Sequence, residues 1–269
     1  TEIDSSKIAN IIHEIEKASG RSLLSSPADY YKSAGKMLTR MISEIKNPDL
    51  ILIVQTKITP LILEDIKEKI EAARGKSILN PIDYYHTAGK MLKAAVDSGI
   101  VNNQFIPLAQ ETIAPFIIED IEEKISLAEG KGPFYATDFY QTAANMMKEA
   151  LEAKIVNQEF VKTLKDKIAP YVADDAIQII GEISDPIKLA KMYLKAKKIA
   201  KEANSLGIID EKKFTECTNE LLKDRLESIL IEAFEKGRWS RLELLETAKQ
   251  SDLFTRETLE TIQTKIMKL

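Results

Sequence analysis

Asp29-Tyr30-Tyr31-Lys32-Ser33-Ala34-Gly35-Lys36-Met37-Leu38 is a phrase that this chain repeats. It returns as Asp83-Tyr84-Tyr85-His86-Thr87-Ala88-Gly89-Lys90-Met91-Leu92, and again as Asp138-Phe139-Tyr140-Gln141-Thr142-Ala143-Ala144-Asn145-Met146-Met147. A second phrase trails each copy: Lys57-Ile58-Thr59-Pro60, Thr112-Ile113-Ala114-Pro115 and Lys167-Ile168-Ala169-Pro170. Its prolines recur every 55 residues. Self-similarity at a fixed period marks structural units that bury their second face only by stacking on a neighbour.

Each unit reads as a pair of helices. Ser26-Pro27 and Asn80-Pro81 place a capping residue before a proline that suits the first helical turn, and Asp29 and Asp83 sit where a carboxylate reaches back to the cap. In the third copy Tyr135 and Ala136 take the cap and proline positions, and Asp185-Pro186 opens a fourth, divergent unit. Helix A of each unit carries the phrase. Helix B follows a short break, marked by Ile100-Val101-Asn102, Ile155-Val156-Asn157 and Gly207-Ile208-Ile209-Asp210. Along helix B, Ile58, Ile62, Ile66, Ile70 and Ala73 form a stripe that Ile113, Ile117, Ile121, Ile125 and Ala128 repeat, which predicts a core-facing side. Gly20, Gly75, Gly130 and Gly237 are expected helix stops. Ser240-Arg241-Leu242-Glu243 is a capping box that opens a shorter helix to about Gln250, and Thr255 to Met267 predicts a last amphipathic one.

The expected fold class is therefore all-α: a right-handed stack of antiparallel helical hairpins, an α-solenoid of about eleven helices. One continuous domain is expected over residues 1–269. It has a leading helix in 1–20, similar hairpins in 21–75, 76–130 and 131–184, a divergent fourth hairpin in 185–237 and closing helices in 238–269.

Composition agrees with this reading. Hydrophobic residues at 44% and charged residues at 30% fit a soluble globular protein, and ten Gly with nine Pro in 269 residues argue against a turn-rich β fold. A net charge of −4 supplies no overall basic field to draw nucleic acid. Cys217 stands alone, so no internal disulfide forms, which suits a reducing, cytoplasmic setting. No apolar run approaches the length of a membrane span. The chain begins at Thr1, so a processed or truncated N-terminus is consistent with the sequence.

The repeated residues read first as construction. Ala34-Gly35, Ala88-Gly89 and Ala143-Ala144 put small side chains mid-helix, where glycine costs about 1 kcal/mol against alanine. Close approach of a neighbouring helix is the expected return. Pro60, Pro115 and Pro170 are expected to kink helix B. Of each aromatic pair one ring can enter the core and the other face a groove. The plainer reading is core and staple packing; the sharper one makes Tyr31, Tyr85 and Tyr140 phenols of a partner-binding groove. Glu64-Asp65, Glu119-Asp120 and Asp174-Asp175 follow the prolines, and the second acid of each is expected at the edge of the apolar stripe. In the fourth unit Lys188, Lys191, Lys195 and Lys198 share a sector, as a solvated face or as a docking patch for an acidic protein surface or phosphate groups.

Catalysis finds little support. His13 and His86 are the only histidines, and His86 replaces Lys32 and Gln141 of the other copies. Cys217 has no histidine near it in sequence, and no phosphate-binding, dinucleotide-binding, serine-elbow or zinc-binding motif occurs. No cofactor, catalytic residue or metal site is expected.

The helix-turn-helix units, with Tyr30 and Ala34 or Tyr84 and Ala88 in a Tyr-x-x-x-Ala pattern, resemble tetratricopeptide-type repeats over residues 26–236, with a longer period. The resemblance implies a surface offered to a protein or peptide. The expected function is a non-enzymatic helical-repeat scaffold for protein–protein interaction. The alternatives are an all-α carrier of a lipid or other apolar ligand and, behind it, a metal-dependent all-α enzyme using Asp174 and Asp175.

Overall fold

The computed structural model describes residues 5–18, 27–45, 49–74, 80–131, 133–180, 186–235 and 240–268. Among the described residues the chain is all-helical. The helices are α1 (Ser5–Glu16), α2 (Pro27–Ile45), α3 (Asp49–Ala73), α4 (Asn80–Asp97), α5 (Phe105–Ser126) and α6 (Pro133–Glu152). They continue with α7 (Gln158–Gln178), α8 (Pro186–Ser205), α9 (Glu211–Glu235), α10 (Arg241–Gln250) and α11 (Arg256–Lys268). No helix among the described residues is long and apolar enough to cross a membrane. The expected cap Ser26, the stops Gly20, Gly75 and Gly237, and Asp185 lie outside the described residues.

Two compact units divide the chain, Thr1–Asp120 with Met146–Phe160, and Ile121–Asn145 with Val161–Leu269. In the first, α1 packs on α2 and α3, and α4 packs on both α2 and α3. The isoleucine stripe of α3 is buried from Ile58 to Ala73, and Ile113, Ile117, Ile121, Ile125 and Ala128 of α5 and its following turn are buried in the same way. The expected repeats begin after α1. Yet its buried Ile11, Ile15 and the following Ala18 precede Ile66, Ile70 and Ala73 by 55 residues each, so α1 repeats the second half of a helix B. In the second unit α8 packs on α10, α9 on α11, and α10 on α11. Tyr193 of α8 meets Phe254 edge-on with ring centroids 5.6 Å apart.

Pro27 and Pro186 stand in the first turns of α2 and α8, where a missing amide hydrogen costs nothing. The third copy corrects the sequence expectation. Helix α6 begins at Pro133, so Tyr135 and Ala136 already lie inside it. The local rule that proline suits the first turn outweighs the register inherited from the other copies. The capping box of α10 forms as expected, with the Ser240 hydroxyl accepting from the Glu243 amide and Glu243 reaching back to the Ser240 amide.

The joints between helices A and B share one chemistry. Asn102, Asn157 and Asp210 accept backbone amides of Gln104, Phe160 and Lys213 on their side-chain oxygens, each at 3.0 Å. Before each joint one residue takes a left-handed conformation: Gly99 (φ 73°), Lys154 (φ 59°) and Gly207 (φ 68°). Gln55 of α3 donates to the Gly99 carbonyl, and Gln110 of α5 donates to that of Lys154. A Cβ is strained in this conformation, so Lys154→Gly is expected to raise stability by about 1 kcal/mol, read in chemical denaturation. A loss would mean that the lysine stem makes packing contacts worth more than the strain.

Pro60, Pro115 and Pro170 lie inside α3, α5 and α7, and each helix continues through its proline. A proline nitrogen offers no hydrogen to the carbonyl four residues earlier. Those carbonyls belong to Thr56, Glu111 and Asp166, and these residues and all three prolines are exposed. Water can solvate what the ladder leaves, which makes the interior proline tolerable.

Candidate functional site

The repeated phrase builds a buried stitch before it builds any surface. Tyr31, Tyr85 and Tyr140 are fully buried. Each phenol donates to the second acid of helix B: Tyr31 to Asp65 at 2.6 Å, Tyr85 to Asp120 at 3.2 Å and Tyr140 to Asp175 at 3.0 Å. This corrects two expectations. The three tyrosines do not line a groove, and the three aspartates do not sit at the edge of the stripe but inside the core, each no more than 3% exposed. The reason lies in helix geometry. Tyr31 shares its face with Ala34, Leu38 and Met41, all buried, while the adjacent Tyr30, turned by about 100°, is half-buried. A buried carboxylate is tolerated only when bonded, and the phenol on the facing helix provides that bond.

The carboxyls of Asp65 and Asp175 are pushed up from the ordinary aspartate value by burial, against which the tyrosine hydrogen bond works. Burial and the facing aspartate also push all three phenols up, so they remain donors. The copies differ around the stitch. Lys69 and Lys124 are buried four residues beyond Asp65 and Asp120, and the charge of Lys69 favours the ionised form of Asp65. In the third copy Ile179 stands in that place, and the Gly130 amide donates to Asp175 at 3.1 Å.

The first acid of each pair takes a surface partner. Glu64 pairs with Lys67 at 3.2 Å, Glu119 with Arg74 at 3.0 Å and Asp174 with Arg225 at 3.3 Å. Asp174 and Asp175 thus engage different partners, and no group of three metal-ligating His, Cys, Asp or Glu occurs among the described residues.

The small residues bring consecutive A helices together. A Cβ on Gly35 of α2 would lie 2.5 Å from the Ser98 carbonyl oxygen, just after α4. One on Gly89 of α4 would lie 2.5 Å from that of Ala153, just after α6. The expected close approach is therefore present, made to the end of the next A helix. It leaves a groove beside each contact. Between α2 and α4 the groove has a volume of about 880 Å³. Gly35, Ala28, Ala94, Ser98, Thr39 and Ser43 contribute small walls. Lys32, Lys36 and Arg40 line it from α2, and Lys90 and Lys93 from α4, against the single acid Asp97. Its next counterpart, about 580 Å³ beside the Gly89 contact, is mixed: Lys90, Lys93 and Lys154 line it together with Asp97 and Glu152. His86 also lines it and pairs with Glu149 at 2.8 Å.

The groove cations were missed in the sequence because they come from two helices. One signal was legible: Lys32, Lys36 and Arg40 recur every four residues, along one side of helix A. The lysines expected on the fourth unit behave differently. Lys188, Lys191, Lys195 and Lys198 are exposed on α8, with Ala196, Ile199 and Ala203 buried on its other side. Cys217 is buried on α9 and its thiol is pushed up by that burial, which suits packing and not a nucleophile.

No family model matches the sequence, and a search of the curated proteins finds no match. Among solved structures, a chain described under "Computational Design of Self-Assembling Cyclic Protein Homooligomers" aligns over 97% of this chain and 98% of its own. The identity is 14% and the TM-score 0.23, a likeness too slight to carry an argument.

Proposed function

We propose that this protein is a non-enzymatic helical-repeat scaffold, its hairpins stacked in a tetratricopeptide-like manner, that binds another protein along the outer side of its A helices. The observation that carries this reading is the groove between α2 and α4, about 880 Å³, held open by the backbone contact at Gly35. The repeat spends its aromatic and acidic residues on the core stitch, so what remains for recognition is the surface between consecutive A helices. The groove wall combines small and aliphatic surface from Gly35, Ala28 and Ala94 with the cationic ends of Lys32, Lys36, Arg40, Lys90 and Lys93, a mixture that favours a charged partner segment over a wholly apolar ligand.

Site-specific photo-crosslinking in the source cells tests the proposal. A photoreactive residue at Ser43, on the groove, is expected to give discrete protein adducts, whereas one at Glu68, exposed on α3, is expected to give none. Equal adducts at both positions, or none at Ser43, would overturn the reading. A bound apolar molecule found by native mass spectrometry would favour the carrier instead.

A further inference from the structure

The charge of the α2–α4 groove is out of keeping with the chain around it. A protein of net charge −4 collects five cations and one acid around one cleft. Three of those cations are partly answered from within: Lys32 by Asp29 at 3.4 Å, Arg40 by Glu44 at 3.0 Å and Lys93 by Asp97 at 2.8 Å. Lys36 and Lys90, equivalent residues of the first two copies that both line the groove, make no ion pair among the described residues. Like charges gathered on two rims repel, and an anionic guest removes that repulsion.

Spacing narrows the guest. Lys32, Lys36 and Arg40 follow the helix at about 6 Å per four residues. In an extended peptide, alternate side chains lie on one side about 6.6 Å apart. We infer that the groove binds an extended acidic segment of a partner protein, with Asp or Glu at alternate positions along α2, and with Lys90 and Lys93 closing over it from α4. This deepens the scaffold reading and rests on it. Single-stranded nucleic acid has a similar charge spacing, but its binding sites stack bases on aromatic rings, and no aromatic side chain among the described residues lines this groove.

The test uses the full chain and fluorescein-labelled peptides in fluorescence anisotropy at low salt. The probes are an alternating Glu-Ser decamer, a decamer of the same composition with its glutamates in one block, and oligo-dT. The alternating peptide is expected to bind best. Lys36→Glu with Lys90→Glu is expected to weaken it by about tenfold or more. The same charge change at Lys191 and Lys195 on α8 should leave binding unaltered, and Lys36→Ala with Lys90→Ala, gentler on folding, should weaken it less than the reversal. Tighter binding of oligo-dT, equal binding of the block peptide, or insensitivity to Lys36 and Lys90 would each overturn the inference. Absent peptide binding with Ser43 adducts retained would sink the acidic ligand and leave the scaffold standing; loss of both would sink both.

Discussion

Replacing Tyr140 with phenylalanine is expected to lower stability by about 2 kcal/mol, although the ring and its packing are kept. The substitution removes one oxygen and leaves the Asp175 carboxylate buried without its phenol donor. A hydrogen bond to a charged partner contributes about 1.5–3 kcal/mol, and an orphaned buried acceptor costs on a similar scale. Asp175→Ala is expected to cost as much, since it strips both the Tyr140 hydroxyl and the Gly130 amide of their acceptor. The double variant should lose less than the two singles together, with a coupling of about 1–2 kcal/mol. Additive losses would show that the stitch is a coincidence of packing.

The same pair gives a pH signature. The folded-state pKa of Asp175 is raised by burial above its unfolded value. The folded protein then holds that proton more tightly, so its contribution to stability is fully present below the unfolded pKa and is lost as pH rises through the folded one. Asp175→Asn does not titrate, and its amide can donate to the Tyr140 oxygen while its carbonyl accepts from Gly130. The stability of the wild type relative to Asp175→Asn should therefore fall as pH rises through the raised value, in denaturation series from acid to neutral pH. A difference that is flat or grows with pH contradicts this account of the stitch.

Gly89→Ala is expected to destabilise by up to about 2 kcal/mol net, against the usual rule. In an unconstrained helix interior the change gains about 1 kcal/mol. Here the added methyl would lie 2.5 Å from a backbone oxygen and 3.0 Å from the Ala153 Cβ, neither of which is the tip of a flexible side chain. Two backbones must separate, and overpacking of this kind costs about 1–3 kcal/mol. Gly35→Ala meets Ser98 in the same way, at 2.5 and 2.6 Å, and should behave alike. The third copy supplies a contrast, because Ala144 occupies the corresponding place, and Ala144→Gly should cost only the ordinary propensity of about 1 kcal/mol. A gain in stability for both glycine variants would mean that the A helices do not approach as closely as the structure has them.

The sequence was most legible where chemistry is local. Proline starts, the Ser240 capping box, the Asn102, Asn157 and Asp210 joints and the isoleucine stripe each declare themselves within a few residues, because caps, turns and helical periodicity are short-range. The leading helix hid its kinship in Ile11, Ile15 and Ala18, since only half of the repeated pattern is present. Register erred at α6, where a proline three residues upstream of the aligned position set the start.

The candidate site was poorly legible for a different reason. Period alone cannot say which of two adjacent tyrosines turns inward, as the choice depends on what the facing helix offers. Asp65, thirty-four residues beyond Tyr31, makes that choice. The cationic groove likewise joins Lys36 to Lys90 across 54 residues, and neither is unusual by itself. The thrice-repeated phrase by itself determined an all-helical chain with small residues at helix contacts, because periodicity and capping are written in neighbouring residues. Tertiary structure alone decided that its second tyrosine is a buried stitch and that its lysines, not its phenols, line a groove. Burial and charge density are properties of what packs against a helix, and the helix's own sequence does not contain them.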